Sequence, residues 1–226
     1  MLANVGLYSY LAAALTYVLL TGLLLVSWRG RALGIMLIMA SGASALWASV
    51  VAAGTVLEYP PVVLIQVTEI LRNTGWLLFL LKMSQLRFAD QEGFDSALWN
   101  RRLLLGLGFA SLVILLLPAL RATLQLETDI HGDMVFACWL AMAIFGLLMI
   151  EQLFRNAGED ERWALKYLCF GLGGVVAYDF FMYAEALLFR NLDPQLWQAR
   201  GLVNALAAPL IAASISRSAE SQFRLQ

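Results

Sequence analysis

Residues 62–82 read VVLIQVTEILRNTGWLLFLLK, and this stretch decides the fold. It has the length of about 20 residues that an α-helix needs to cross a bilayer, yet Glu69, Arg72 and Asn73 stand at its middle. An ionised group at the centre of a membrane helix costs roughly 2.5–3.5 kcal/mol even on the lenient insertion scale, so Arg72 must face protein or water and not lipid. Glu69 precedes it by about one turn and is close enough to pair with it locally. All other partners have to come from other helices. A buried pair of this kind serves either packing alone or a working site, and both readings stay open at this point.

Outward from residues 62–82 the chain repeats the same apolar texture. Of 226 residues, 61% are hydrophobic and 14% charged, and the apolar residues come in blocks of about bilayer-spanning length. Seven spans are predicted, at residues 5–27, 33–53, 62–82, 103–120, 134–154, 166–190 and 201–216. The fold class is therefore all-α, a polytopic seven-transmembrane-helix bundle. The first apolar run is too long for a cleaved signal and lacks a basic n-region, so it is expected to stay as a membrane helix.

The loops alternate in charge. Arg29, Arg31, Lys82, Arg87, Arg101, Arg102, Arg155, Arg162, Lys166, Arg217 and Arg224 fall on one side, against Arg121, Arg190 and Arg200 on the other. The positive-inside rule then puts the N-terminus outside and the C-terminus in the cytoplasm.

Several stretches carry more than bulk hydrophobicity. In the second span, Ser41, Ala45 and Ser49 recur every four residues beside Gly34 and Gly42, the pattern of a helix approached closely by another. Residues 83–102 place Leu86, Phe88, Phe94, Leu98 and Trp99 among charges, as either an amphipathic surface piece or a solvated connector. The loop RATLQLETDIHGD crowds Glu127, Asp129, His131 and Asp133, which reads as a solvated acidic loop because one histidine with carboxylates is a poor metal set. The sixth span holds Gly171, Gly173 and Gly174 inside an apolar helix, as contact glycines and not a phosphate loop. Asp179 is at its centre with Tyr183 one turn on, while Tyr178 and Glu185 share a neighbouring face. The seventh has Asn204 near its outer end and Pro209 at its middle, where a proline kinks the helix or frees a carbonyl.

Counted from opposite ends of antiparallel spans, Arg72 and Asp179 fall at the same mid-membrane depth, which predicts a contact between them. Glu69 and Glu185 form a layer roughly 4–9 Å nearer the outer surface by helix rise. The candidate polar cluster, a signal or ligand site, is thus Glu69, Arg72, Asn73, Asp179, Tyr183 and Glu185.

Enzymatic chemistry is excluded largely by what is missing. The single histidine lies in an outer loop, no HExxH occurs, and no Ser and His pair can form inside the membrane. Lys82 and Lys166 are the only lysines and both sit at span ends, which excludes a Schiff-base photoreceptor. No catalytic residue, metal site or cofactor is expected. With 15 basic and 16 acidic residues there is no electrostatic case for nucleic acid. Cys138 and Cys169 are expected at different depths and without a mutual disulfide.

The stretch EQLFRNAGEDERWALKYLCFGLGGVVAYDFFMYAEALLFRNLDPQLWQARGLVNALAAPLIA, with VGLYSYLAAALTYVLLTGLLLVSWRGR and ALWASVVAAG, resembles the N-terminal membrane region of the PEP-CTERM system sensor histidine kinases, PrsK type. The resemblance covers most of residues 1–215. It implies a bacterial inner-membrane input region that precedes a cytoplasmic kinase, in cells with exosortase and exopolysaccharide export. The chain stops at Gln226 without the kinase half, so it is expected to be an excised input domain or a truncated natural protein. Residues 1–216 would be the sensor domain and 217–226 a cytoplasmic tail or linker start. Expected partners are the lipid bilayer, a kinase output domain and a second copy of the chain in a homodimer. The rival readings are a small transporter or channel using Glu69, Arg72, Asp179 and Glu185, and a structural scaffold.

Overall fold

The computed structural model describes residues 2–27, 30, 32–57, 60–88, 105–116 and 130–223. All regular structure among them is helical: α1 Leu2–Ser27, α2 Ala32–Gly54, α3 Val62–Phe88, α4 Leu105–Leu116, α5 Ile130–Arg155, α6 Glu159–Phe189 and α7 Pro194–Phe223. Six of these, all but α4, are long and apolar enough to cross a membrane. Local chemistry sets the breaks. Gly30 takes φ +80° between α1 and α2, a conformation open to glycine at no steric cost. Pro60 and Pro61 precede α3, where a missing N–H does no harm. Between α6 and α7, Arg190 closes one helix in the left-handed conformation, and Asp193 with Pro194 opens the next.

The long helices form a closed ring in which neighbours run α1, α2, α3, α5, α6, α7 and back to α1. The joint between α3 and α5 is the least intimate of the six. Their interior faces mix small, aromatic and aliphatic residues, while the outward faces are almost wholly large and apolar, chiefly leucine, valine and phenylalanine. In α1, Tyr10, Ala13 and Tyr17 are buried and Leu11, Leu15 and Leu19 exposed. This is the distribution of a bundle whose surroundings are as apolar as its core, where close backbone approach replaces water exclusion as the packing force.

Direction follows from the core. One apolar cluster takes Leu80 and Leu81 of α3, Met149 and Leu153 of α5, and Leu165 and Leu168 of α6. Another takes Ile70 of α3, Trp139 and Met142 of α5, and Met182 and Tyr183 of α6. Hence α3 and α5 are parallel, with α6 antiparallel to both. A third cluster joins Tyr10 and Ala13, Trp47 and Val51, and Ala205 of α1, α2 and α7.

Several expectations change in detail. The fourth predicted span, 103–120, is described only as the 12-residue α4, whose Ile114 is fully buried against α3 and α5. The remainder of that span, residues 89–102 and the loop 121–129 lie outside the described residues. In α2 the buried stripe is Ser41, Ser44, Ala45, Ala48 and Ala52, and Ser49 is exposed, because a 3.6-residue period rotates strict four-residue spacing off the face. No disulfide joins Cys138 and Cys169. The helix α7 begins seven residues before the predicted start at 201, which changes the site.

Candidate functional site: a buried charge cluster at the ring axis

Three helices that are not all neighbours send charged side chains to the centre of the ring. Arg72 of α3 reaches across to Asp179 of α6, Nη2 to Oδ2 at 2.7 Å, so the expected contact is present. Arg200 of α7 grips the same carboxylate with two parallel bonds, Nε to Oδ1 at 2.7 Å and Nη2 to Oδ2 at 2.8 Å. This forked geometry is the strong form of arginine–carboxylate pairing. The remaining Nη1 of Arg200 stands 2.5 Å from Glu69 Oε1 as a charge contact, without the alignment of a hydrogen bond. Tyr183 donates to that same oxygen at 2.5 Å.

Polar and aromatic neighbours complete the setting. Arg72 donates to Asn204 Oδ1 and to Asn73 Oδ1, each at 3.1 Å, and Asn204 Nδ2 donates to the Arg200 carbonyl. Trp47 of α2, fully buried, lies with its ring 4.0 Å from the Arg72 guanidinium carbon and 4.9 Å from that of Arg200. Tyr183 stacks on Trp139 of α5 at 5.7 Å. Five of the six ring helices therefore contribute, and α1 follows through Tyr10, edge-on to Trp47.

Glu69, Arg72, Asp179 and Arg200 are each at most 5% exposed. Two positive and two negative groups leave the cluster neutral. A buried pair opposes its own desolvation only when geometry is good and spare hydrogen-bonding capacity is filled, and Asp179 meets that condition with three charge-assisted bonds. The cluster borders a cavity of about 30 Å³ between α3, α5 and α6, with Arg72, Asn73, Asp179 and Tyr183 on its polar side.

Of the six residues expected in the cluster, five converge. Glu185 does not: it is half-buried and makes no ion pair among the described residues, and its Oε2 has no partner. Its place two residues beyond Tyr183, about half a helical turn, carries it away from the axis. The local pair of Glu69 with Arg72, possible from their spacing, is not formed, since each turns to another helix. Nor do the glutamates make a separate layer, because Arg200 links Glu69 to Asp179.

The residue that sequence reasoning misplaced is Arg200. Expected in an outer loop, it lies in the second turn of α7 and is fully buried. A signal for it exists in Asp193-Pro194. Asp193 Oδ1 accepts from the backbone N–H groups of Gln195 and Leu196, which is helix capping, and proline suits the first helical position. Starting the helix there brings Arg200 inside. Trp47 was passed over for a plainer reason, as one apolar residue in an apolar span.

Among the described residues, no group of three or more His, Cys, Asp or Glu is placed to hold a metal ion. Asp133, from the expected acidic loop, pairs instead with Arg190 at 3.4 Å near the ends of α5 and α6. Set against known proteins, the chain matches no family model, no curated protein and no solved structure.

Proposed function

We propose that the chain is the membrane-embedded signal-input domain of a bacterial two-component sensor histidine kinase of the PEP-CTERM type, without a catalytic module of its own. The observation that carries this reading is the axial cluster, in which Arg200 and Asn204 tie α7 to α3 and α6 through buried charges. From that tie α7 runs on as one helix to Phe223, with Arg217 over the rings of Trp163 and Tyr167. A cue that changes the pairing changes the position of the helix to which an output domain attaches.

The proposed setting is the bacterial inner membrane with the N-terminus outside and the C-terminus in the cytoplasm, where a kinase domain and a second copy of the chain are the partners. Seven spans are supported by the parallel run of α3 and α5, because the chain must recross the bundle between them and α4 lies on that return. The alternative, a small transporter or channel, draws on the same polar centre. It has less support, since Glu69, Arg72 and Asp179 are locked together, Glu185 stands apart and the adjoining cavity has only water-sized room.

The test is to graft residues 1–226 onto a histidine kinase core and measure autophosphorylation in membranes. Arg72→Lys, Tyr183→Phe and Asn204→Ala are expected to shift output at equal expression. Output that ignores all three, in folded protein, removes the input-domain reading, and solute flux in proteoliposomes then tests the alternative.

A further inference from the structure

The cavity between α3, α5 and α6 has the size and donor set of a hydration site. Its volume is about 30 Å³, whereas a buried water needs roughly 10–15 Å³ of such space and two to four polar partners. Arg72, Asn73, Asp179 and Tyr183 supply polar groups on one side, and Trp139 and Ala143 close another.

Arg72 is 1% exposed, and its terminal nitrogens are engaged by Asn204, Asn73 and Asp179. Its Nε, equally buried, has no hydrogen-bond partner among the described residues. A buried donor of this strength requires an acceptor. The acceptor has to be neutral, because the two arginines and two acids already balance and an added anion would stand uncompensated within the membrane. It also has to be small.

We propose that this cavity binds one or two water molecules, one of which accepts a hydrogen bond from Arg72 Nε–H. Each water proton then has an acceptor available in the Asn73 amide oxygen or the Asp179 carboxylate. The inference goes beyond the signal-input reading and holds whether or not the chain signals.

The experiment is solution NMR on the full chain in perdeuterated detergent, reading magnetisation transfer from water to the Arg72 Nε–H proton. Transfer of opposite sign in NOE and ROE modes marks a held water, as distinct from proton exchange. The wild type is expected to show it, and Ala143→Leu, whose side chain fills the cavity, is expected to lose it. A wild-type spectrum with no such transfer overturns the proposal, and it decides the matter alone where Ala143→Leu does not fold. Transfer that persists in folded Ala143→Leu also overturns it, because the water then lies elsewhere.

Discussion

Asp179 is held by two arginines whose surroundings differ, and the difference divides the bundle into a tight side and an adjustable one. On the α7 side, Arg200 uses a forked pair of bonds, and the backbone around it is pressed against α1. A Cβ placed on Gly201 would fall 2.7 Å from Ser9. Ser9 donates to the Gln198 carbonyl at 2.6 Å and Tyr10 to that of Trp197 at 2.6 Å, which pins the first turns of α7 to α1. On the α3 side, Arg72 makes one bond to Asp179, leaves Nε without a hydrogen-bond partner among the described residues and borders the cavity, next to the loosest joint of the ring. Movement that keeps the network intact is thus cheaper in α3 than in α7, where any shift drives backbone against backbone.

Removing each arginine is the largest test of this contrast. Arg200→Ala strips Asp179 of its fork and Glu69 of its one ion pair among the described residues, and it is expected to cost about 3–5 kcal/mol, the range for breaking a buried pair. Arg72→Ala is expected to cost less, because Arg200 still neutralises Asp179. Equilibrium unfolding in mixed micelles measures both, and equal costs would erase the distinction between the sides. The double variants sharpen it. Arg72→Ala with Asp179→Ala leaves Arg200 facing Glu69 as a balanced pair, so part of the stability lost in Asp179→Ala alone should return. Arg200→Ala with Asp179→Ala leaves Arg72 and Glu69, which make no pair across helices, so the recovery should be smaller. Identical recovery in the two would mean that charge balance alone matters and pairing does not.

Packing gives a test of intermediate size. Gly201→Ala pushes a methyl group into the Ser9 backbone and is expected to destabilise by about 1–3 kcal/mol, the range for overpacking. Gly174→Ala in α6 meets nothing within 4 Å and is the control, expected to be neutral or slightly stabilising. Loss of stability in both would show a general intolerance of methyl groups in these helices and not a tight α1–α7 seam.

Much of this arrangement is legible in the sequence, for reasons that differ by residue. Apolar blocks of bilayer length reveal the long helices, because in lipid a helix satisfies every backbone group within one such segment. Arg72 and Asp179 announce themselves as charges deep inside such blocks, and counting from span ends matches their depth. Hydropathy fails at Arg200, since a charge beside the polar run Asn191-Leu192-Asp193-Pro194-Gln195 looks like a loop residue to any window average. The same blindness puts Glu185 in the cluster, because depth fixes the layer of a residue and not its rotation about the helix. Trp47 carries no polar signal at all, and its role beneath two guanidiniums depends on how α2 faces the axis.

The smallest effect tests the start of α7, on which the place of Arg200 depends. Asp193 caps the helix through Oδ1, at 2.6 Å from the Gln195 nitrogen and 3.4 Å from that of Leu196. With Asp193→Ala those N–H groups lose their acceptor, and the expected cost is about 1 kcal/mol, as for other N-cap truncations. Asp193→Asn keeps a side-chain oxygen and should recover most of it. The loss should be local, because Ser9 and Tyr10 still hold the carbonyls of Gln198 and Trp197 from α1. Amide exchange at Gln195 and Leu196 is therefore expected to quicken while that at Asn204 stays slow. Faster exchange as far as Asn204 would mean that the cap, and not the α1 seam, keeps Arg200 in the cluster, and the tight side would owe its rigidity to the turn before it.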